Sequence, residues 1–159
     1  MKRQLAILLI AAALLGFIFP GSSARAAEVA PDFSLVDTNN NLVSSSGYKG
    51  KQAVLLLFWT IECPLCRGQL KLVNEKFTEL SQKGLVILSV NAGNSASRVK
   101  AFAKNYGLKY TVLLDEYFKV ATDYGVFGVP TYILINKHGD IVYRYYSFPT
   151  ERQQAEALK

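Results

Sequence analysis

Apolar positions along the chain fall into two patterns, and the difference between them predicts the elements. Val54-Leu55-Leu56-Leu57-Phe58-Trp59 is a continuous apolar run of strand length, and Leu85 to Val90 is a second. Runs of this kind suit strands buried on both faces. Between them Leu70, Val73, Phe77 and Leu80 recur at three- and four-residue steps, which predicts a helix from Pro64 to about Gln82. Cys66 extends that series back by one turn and should face the core. Pro64 suits the first helical turn, where its missing N–H would be unpaired anyway, so Cys63 falls at the helix N-terminus. Val99, Phe102, Ala103 and Tyr106 mark a second helix ending near Gly107, and Tyr110 to Leu114 reads as a third strand. A short helix follows around Phe118 to Tyr124. Thr131 to Ile135 and Ile141 to Tyr146, joined at Lys137-His138-Gly139-Asp140, predict an antiparallel hairpin, with Tyr143, Tyr145 and Tyr146 packing its last strand. A closing helix is expected from Thr150.

Ahead of these elements, Glu28 to Lys51 is an irregular lead-in. Phe33-Ser34-Leu35-Val36 alternates, Asn39-Asn40-Asn41 reads as a turn, and Gly47 and Gly50 punctuate the rest, which predicts a small N-terminal hairpin. The sum is a mixed α/β sheet flanked by helices, with a hairpin extension, in one domain over residues 27–159.

The first 26 residues carry a different pattern. Lys2 and Arg3 precede an apolar run from Leu5 to Phe19, then Pro20-Gly21 and Ala24-Arg25-Ala26. That is the layout of a signal peptide, with cleavage expected after Ala26, and it sends the domain to the periplasm or the outer face of the cytoplasmic membrane. The competing reading is an uncleaved anchor. The run is shorter than the roughly 20 residues a spanning helix needs, and Pro20-Gly21 breaks it where such a site is cut. No cysteine follows the run, which argues against a lipid anchor. Composition agrees with one core plus an appendage: 159 residues, 50% hydrophobic and 19% charged. The formal charge is +6, and removing Lys2, Arg3 and Arg25 with no acids leaves +3. No basic run interleaved with aromatics survives, so a nucleic-acid partner is not expected.

Cys63-Pro64-Leu65-Cys66 is the candidate chemistry. Disulfide exchange needs one exposed thiolate and a partner near enough to resolve the mixed disulfide. A CxxC opening a helix meets both needs, because unpaired N–H groups favour the Cys63 thiolate while Cys66 waits one turn below. An inert disulfide is the bland alternative, but a bridge across two residues constrains little of the unfolded chain. Structural zinc takes four ligands, and this chain offers two cysteines and His138, placed in a hairpin turn. No metal or other cofactor is expected.

Ala30-Pro31-Asp32-Phe33-Ser34-Leu35, Phe58-Trp59-Thr60-Ile61-Glu62-Cys63-Pro64-Leu65-Cys66 and Gly128-Val129-Pro130-Thr131 together resemble the TlpA/ResA-like thiol-disulfide oxidoreductases. The resemblance covers nearly the whole chain after residue 26 and implies a thioredoxin-like fold. It also implies a cis Pro130 beside the cysteines and a Val129 backbone that pairs with substrate. Trp59, Pro64 and Leu65 complete the implied substrate surface. The implied activity is reduction of protein disulfides, or electron relay to them, as in cytochrome c or oxidase maturation. The implied reductant is a membrane thiol transporter, and the chain is expected to act as a monomer.

Three positions depart from the family pattern. Leu57 stands where thioredoxin-like proteins often bury an acid, Gln69 where ResA-like members place a glutamate, and Glu62 where an aromatic usually precedes the first cysteine. Glu62 is therefore either a displaced acid-base group for Cys66 or a solvated loop carboxylate. In both cases its charge opposes the helix N-terminus at Cys63, which favours a reducing or relaying role. Two rivals stand beside this reading. Thr60-Ile61-Glu62-Cys63 reproduces the peroxiredoxin Thr-x-x-Cys, though Leu56 replaces the proline that motif wants, so a thiol peroxidase is one. A copper-binding assembly module using both cysteines and His138 is the other.

Overall fold

The computed structural model describes residues 27–159. The expected signal peptide, residues 1–26, lies outside them.

Every residue of strand β4 (Ala53–Trp59) is buried, as its unbroken apolar run requires. Side chains alternate across the strand, so β4 feeds two cores. Leu55, Leu57 and Trp59 face helix α1 (Pro64–Gln82), helix α2 (Ala96–Tyr106) and helix α4 (Glu151–Ala157). Val54, Leu56 and Phe58 face helix α3 (Lys119–Asp123) and the lead-in, including Phe33. Each such side chain contributes about 1.5–3 kcal/mol on leaving water.

Around β4 lie β5 (Leu85–Ala92), β6 (Thr111–Asp115), β7 (Thr131–Ile135) and β8 (Asp140–Tyr145), with β1 (Glu28–Val29) at the edge, in the order β1-β8-β7-β4-β5-β6. β4, β5 and β6 run parallel; β7, β8 and β1 pair antiparallel. This register determines what meets at the site. The C-terminal ends of β4 and β5 share one rim with the start of β7, where Phe58 pairs with Thr131, and with the end of β8, where Tyr132 pairs with Tyr145. The CxxC loop leaves β4 at that rim.

The expected hairpin extension is present as β2 (Ser34–Val36) and β3 (Leu42–Ser44), with Asp37 closing its turn through bonds from the Asn39 and Asn41 N–H groups. Strand β1 was not foreseen, because two residues are too few to show a period. Tyr145 and Tyr146 differ from expectation: they are 61% and 58% exposed instead of packed, while Tyr143 is half-buried. Tyr145 shares the face of Tyr143 and pairs with the buried Tyr132, so alternation does not separate them; at the end of β8 that face is no longer covered. Among the described residues no helix is long and apolar enough to cross a membrane.

Candidate active site

Cys63 is the N-cap of α1, with extended backbone angles, and Pro64 occupies the first helical turn. The Cys66 N–H points at Cys63 Sγ, 3.1 Å away. Helix geometry delivers that N–H without any side chain, because the first turn of a helix leaves its amides unpaired. The two cysteines are joined as a disulfide. They differ sharply in exposure: Cys66 has no accessible surface, while Cys63 is partly exposed. Pro64 and Leu65 stand between them on the surface, Leu65 at 74%.

Val129 closes the site from the other side. Its carbonyl oxygen lies 3.6 Å from Cys63 Sγ. In the disulfide that sulfur has no proton, so this is a contact; in the dithiol it becomes an S–H···O bond. The Val129-Pro130 peptide is cis, Pro130 is buried and Val129 half-buried. Thr131 Oγ1 donates to Gly128 O at 2.6 Å and holds the loop closed.

Trp59 is placed differently from a substrate contact. It is wholly buried, packed against Phe102 with ring centroids 5.1 Å apart, and shares the core face of Cys66. It supports the cysteine loop from beneath.

The Glu62 carboxylate has two partners that the sequence did not reveal. Asn94 Nδ2 donates to Oε2 at 2.9 Å and Arg98 Nη2 to Oε1 at 2.7 Å. Asn94 also accepts the Ile61 N–H at 3.0 Å, so one side chain ties both the backbone and the acid of the CxxC loop to the loop after β5. Foremost the Asn94 bond, then Glu62's own backbone N–H and Arg98, hold the Glu62 carboxyl below the usual glutamate range. The only sequence signal for these partners is topological: a loop leaving a parallel strand beside β4 emerges next to the site.

Beneath the cysteines, Leu57 pairs across β7 with Tyr132, whose hydroxyl donates to Gln69 Oε1 at 3.0 Å. Burial, with smaller contributions from Tyr110 and Tyr143, pushes the Tyr132 hydroxyl up, so it stays protonated. Both positions that depart from the family's acids are thus held by neutral groups. His138 lies at the far end of β7 from the cysteines, about 17 Å away for five strand residues. Among the described residues no three His, Cys, Asp or Glu side chains converge as a metal site.

A helix-capping, half-exposed sulfur bonded to a buried one, facing a cis-proline loop on a mixed sheet, defines a thioredoxin-fold dithiol–disulfide protein. Residues 25–159 match the Redoxin family. The thiol-disulfide oxidoreductase ResA of Halalkalibacterium halodurans is 32% identical, over 98% of this chain and 92% of that one. A protein described as thiol:disulfide interchange protein DsbE, from Chlorobium tepidum, superposes with a TM-score of 0.71 at 27% identity, covering 82% of this chain and 91% of its own. The exposed lipoprotein thioredoxin Etrx1 of Streptococcus pneumoniae gives 0.68 at 28%, over 79% and 96%. The chain belongs to the Redoxin family, among its ResA-like thiol-disulfide oxidoreductases.

Proposed function

We propose that the protein works outside the cytoplasm, held there by export of residues 27–159, and passes electrons to disulfides of other proteins. Cys63 attacks and Cys66 resolves. A substrate sulfur accepts the Cys63 thiolate, its former partner leaves as thiolate, and Cys66 then displaces the substrate, leaving Cys63–Cys66 oxidised. A membrane thiol transporter returns the pair to the dithiol. Pro64, Leu65, Val129 and Pro130 form the surface that meets the substrate chain; candidate substrates include proteins of cytochrome c or oxidase maturation.

The observation that carries this reading is the asymmetry of the pair: a half-exposed Cys63 at a helix N-terminus above a Cys66 with no exposed surface. The reducing direction has its own support. Among the described residues Cys63 Sγ accepts a hydrogen bond from the Cys66 backbone N–H and touches the Val129 carbonyl, which has no proton to give a thiolate, with an acid next in sequence. A strongly oxidising pair needs a heavily stabilised thiolate, and the hydrogen-bond donor to Cys63 Sγ among the described residues is a single amide, that of Cys66. The copper reading has no geometric support, since His138 and the cysteines sit at opposite ends of β7.

Trapping tests the reading. With Cys66→Ala the mixed disulfide at Cys63 accumulates, and the attached proteins, released by reductant, are cysteine proteins of the envelope; with Cys63→Ala nothing is trapped. Peroxide consumption by the reduced wild type, faster than its reduction of disulfides, would replace this reading with the peroxidase one.

A further inference from the structure

Of the six exposed aromatic side chains among the described residues, three gather in one place. Phe127 is 97% exposed, Tyr145 61% and Tyr146 58%, and all three sit on the rim that carries Cys63. Phe127 is two residues from Val129, whose carbonyl touches Cys63 Sγ. The Tyr146 ring lies over Gly128, where an added Cβ would be 3.7 Å from it. Together with Gly125, Thr131 and Arg144, these three line a cleft of about 220 Å³. That is smaller than a usual small-molecule site and suits a single side chain. Its one charged member is neutralised, because Arg144 Nη2 is paired with Glu28 at 2.6 Å.

We propose that this cleft receives a bulky apolar side chain of the substrate polypeptide, two or three residues from its reactive cysteine. The inference rests on the oxidoreductase reading above, which requires a substrate sulfur to reach Cys63. Once that sulfur is at Cys63, the chain carrying it must cross Val129 or Leu65. An extended chain advances about 3.3 Å per residue, so a residue two or three positions away arrives about 7–10 Å off; Phe127 is two residues along the chain from Val129, and the Tyr146 ring lies against Gly128, the residue between them. Fully exposed rings are unfavourable in water, and contiguous exposed apolar surface marks interaction sites. Tyr and Phe are enriched where partners bury them. The paired Arg144 leaves no net charge to attract an acidic residue, so an uncharged, apolar side chain is the fitting occupant.

The test uses symmetrical disulfide-linked dimers of short peptides, with Phe or Ser at the second or third position on either side of the cysteine. Attack on either sulfur is then equivalent. Single-turnover reduction by the dithiol enzyme should run about tenfold faster for the best Phe peptide than for its Ser counterpart. Phe127→Ala and Tyr146→Ala should each reduce that ratio to below about threefold, and Phe127→Leu should retain most of it. Tyr117→Ala, an 87% exposed aromatic outside the cleft, should leave the ratio alone. No preference in the wild type, or a preference that survives both alanine variants, overturns the proposal. A solution dimer dissolved by Phe127→Ala would assign the cleft to a second copy and overturn it as well. If the wild type reduces not even bis(2-hydroxyethyl) disulfide, the reducing reading fails instead. The preference is then read from oxidation of the same peptides as free thiols, where it must reappear.

Discussion

Arg98 and Asn94 determine how much of the Glu62 charge reaches Cys63. A carboxylate about 6 Å from a thiolate costs it about 0.7 kcal/mol in water-like screening, or half a pKa unit. Glu62 is 56% exposed, so the water-like value is the appropriate one. Removing the guanidinium with Arg98→Gln should therefore raise the Cys63 thiol pKa by up to about half a unit. Glu62→Gln should lower it by a similar or smaller amount, and the double variant should return near the wild type. Thiolate absorbance against pH measures all three. A second outcome concerns acid. Because the folded Glu62 carboxyl sits below its ordinary 4.5, its bonds to Asn94 and Arg98 stabilise the fold fully above that pH. The contribution disappears as pH falls through the lower folded value. Urea unfolding of wild type and Glu62→Gln should differ at neutral pH and converge in acid. At this scale Cys63, Cys66 and Pro64 were legible in the sequence, since the chemistry and the helix position are both local. Asn94 and Arg98 were not: they lie more than thirty residues from Glu62, and only the register of β5 beside β4 brings them to it.

The elements follow the same division. Runs and periods long enough to repeat gave α1, β4, β5 and β7 nearly to the residue, and Thr150 caps α4 through a capping box with Gln153. What failed was short or depended on a neighbour. β1 is two residues long and exists by pairing with β8. Phe118, expected to begin a helix, instead caps it in the left-handed region, and its ring lies where a side chain on Gly93 would go. Gly93 itself has φ +81°. Gly93→Ala thus meets both a strained backbone and an occupied space at the loop that leads to Asn94. It should destabilise the domain by about 1–3 kcal/mol and lower Tm by several degrees, read by circular dichroism. It should also loosen the grip on Glu62 and move the Cys63 pKa in the same experiment. Tyr145 and Tyr146 were misjudged for a related reason: alternation tells which residues share a face, but not whether anything covers that face.

For the molecule as a whole, the lead-in is anchored by the Tyr124 hydroxyl donating to Pro31 O at 2.7 Å and by β1, both close behind the expected cleavage point. If export removes residues 1–26, the protein recovered from the envelope begins at Ala27, and N-terminal sequencing checks this; an intact Met1 would establish the anchored form. The buried side of the disulfide carries a kinetic consequence. Since Cys66 cannot be reached from solvent, the electron donor and the electron acceptor must both form their covalent link to Cys63, and neither can bind there while the other is attached. Turnover should therefore be ping-pong: double-reciprocal plots at several donor concentrations run parallel, and an excess of either partner slows the other by occupying the single point of entry.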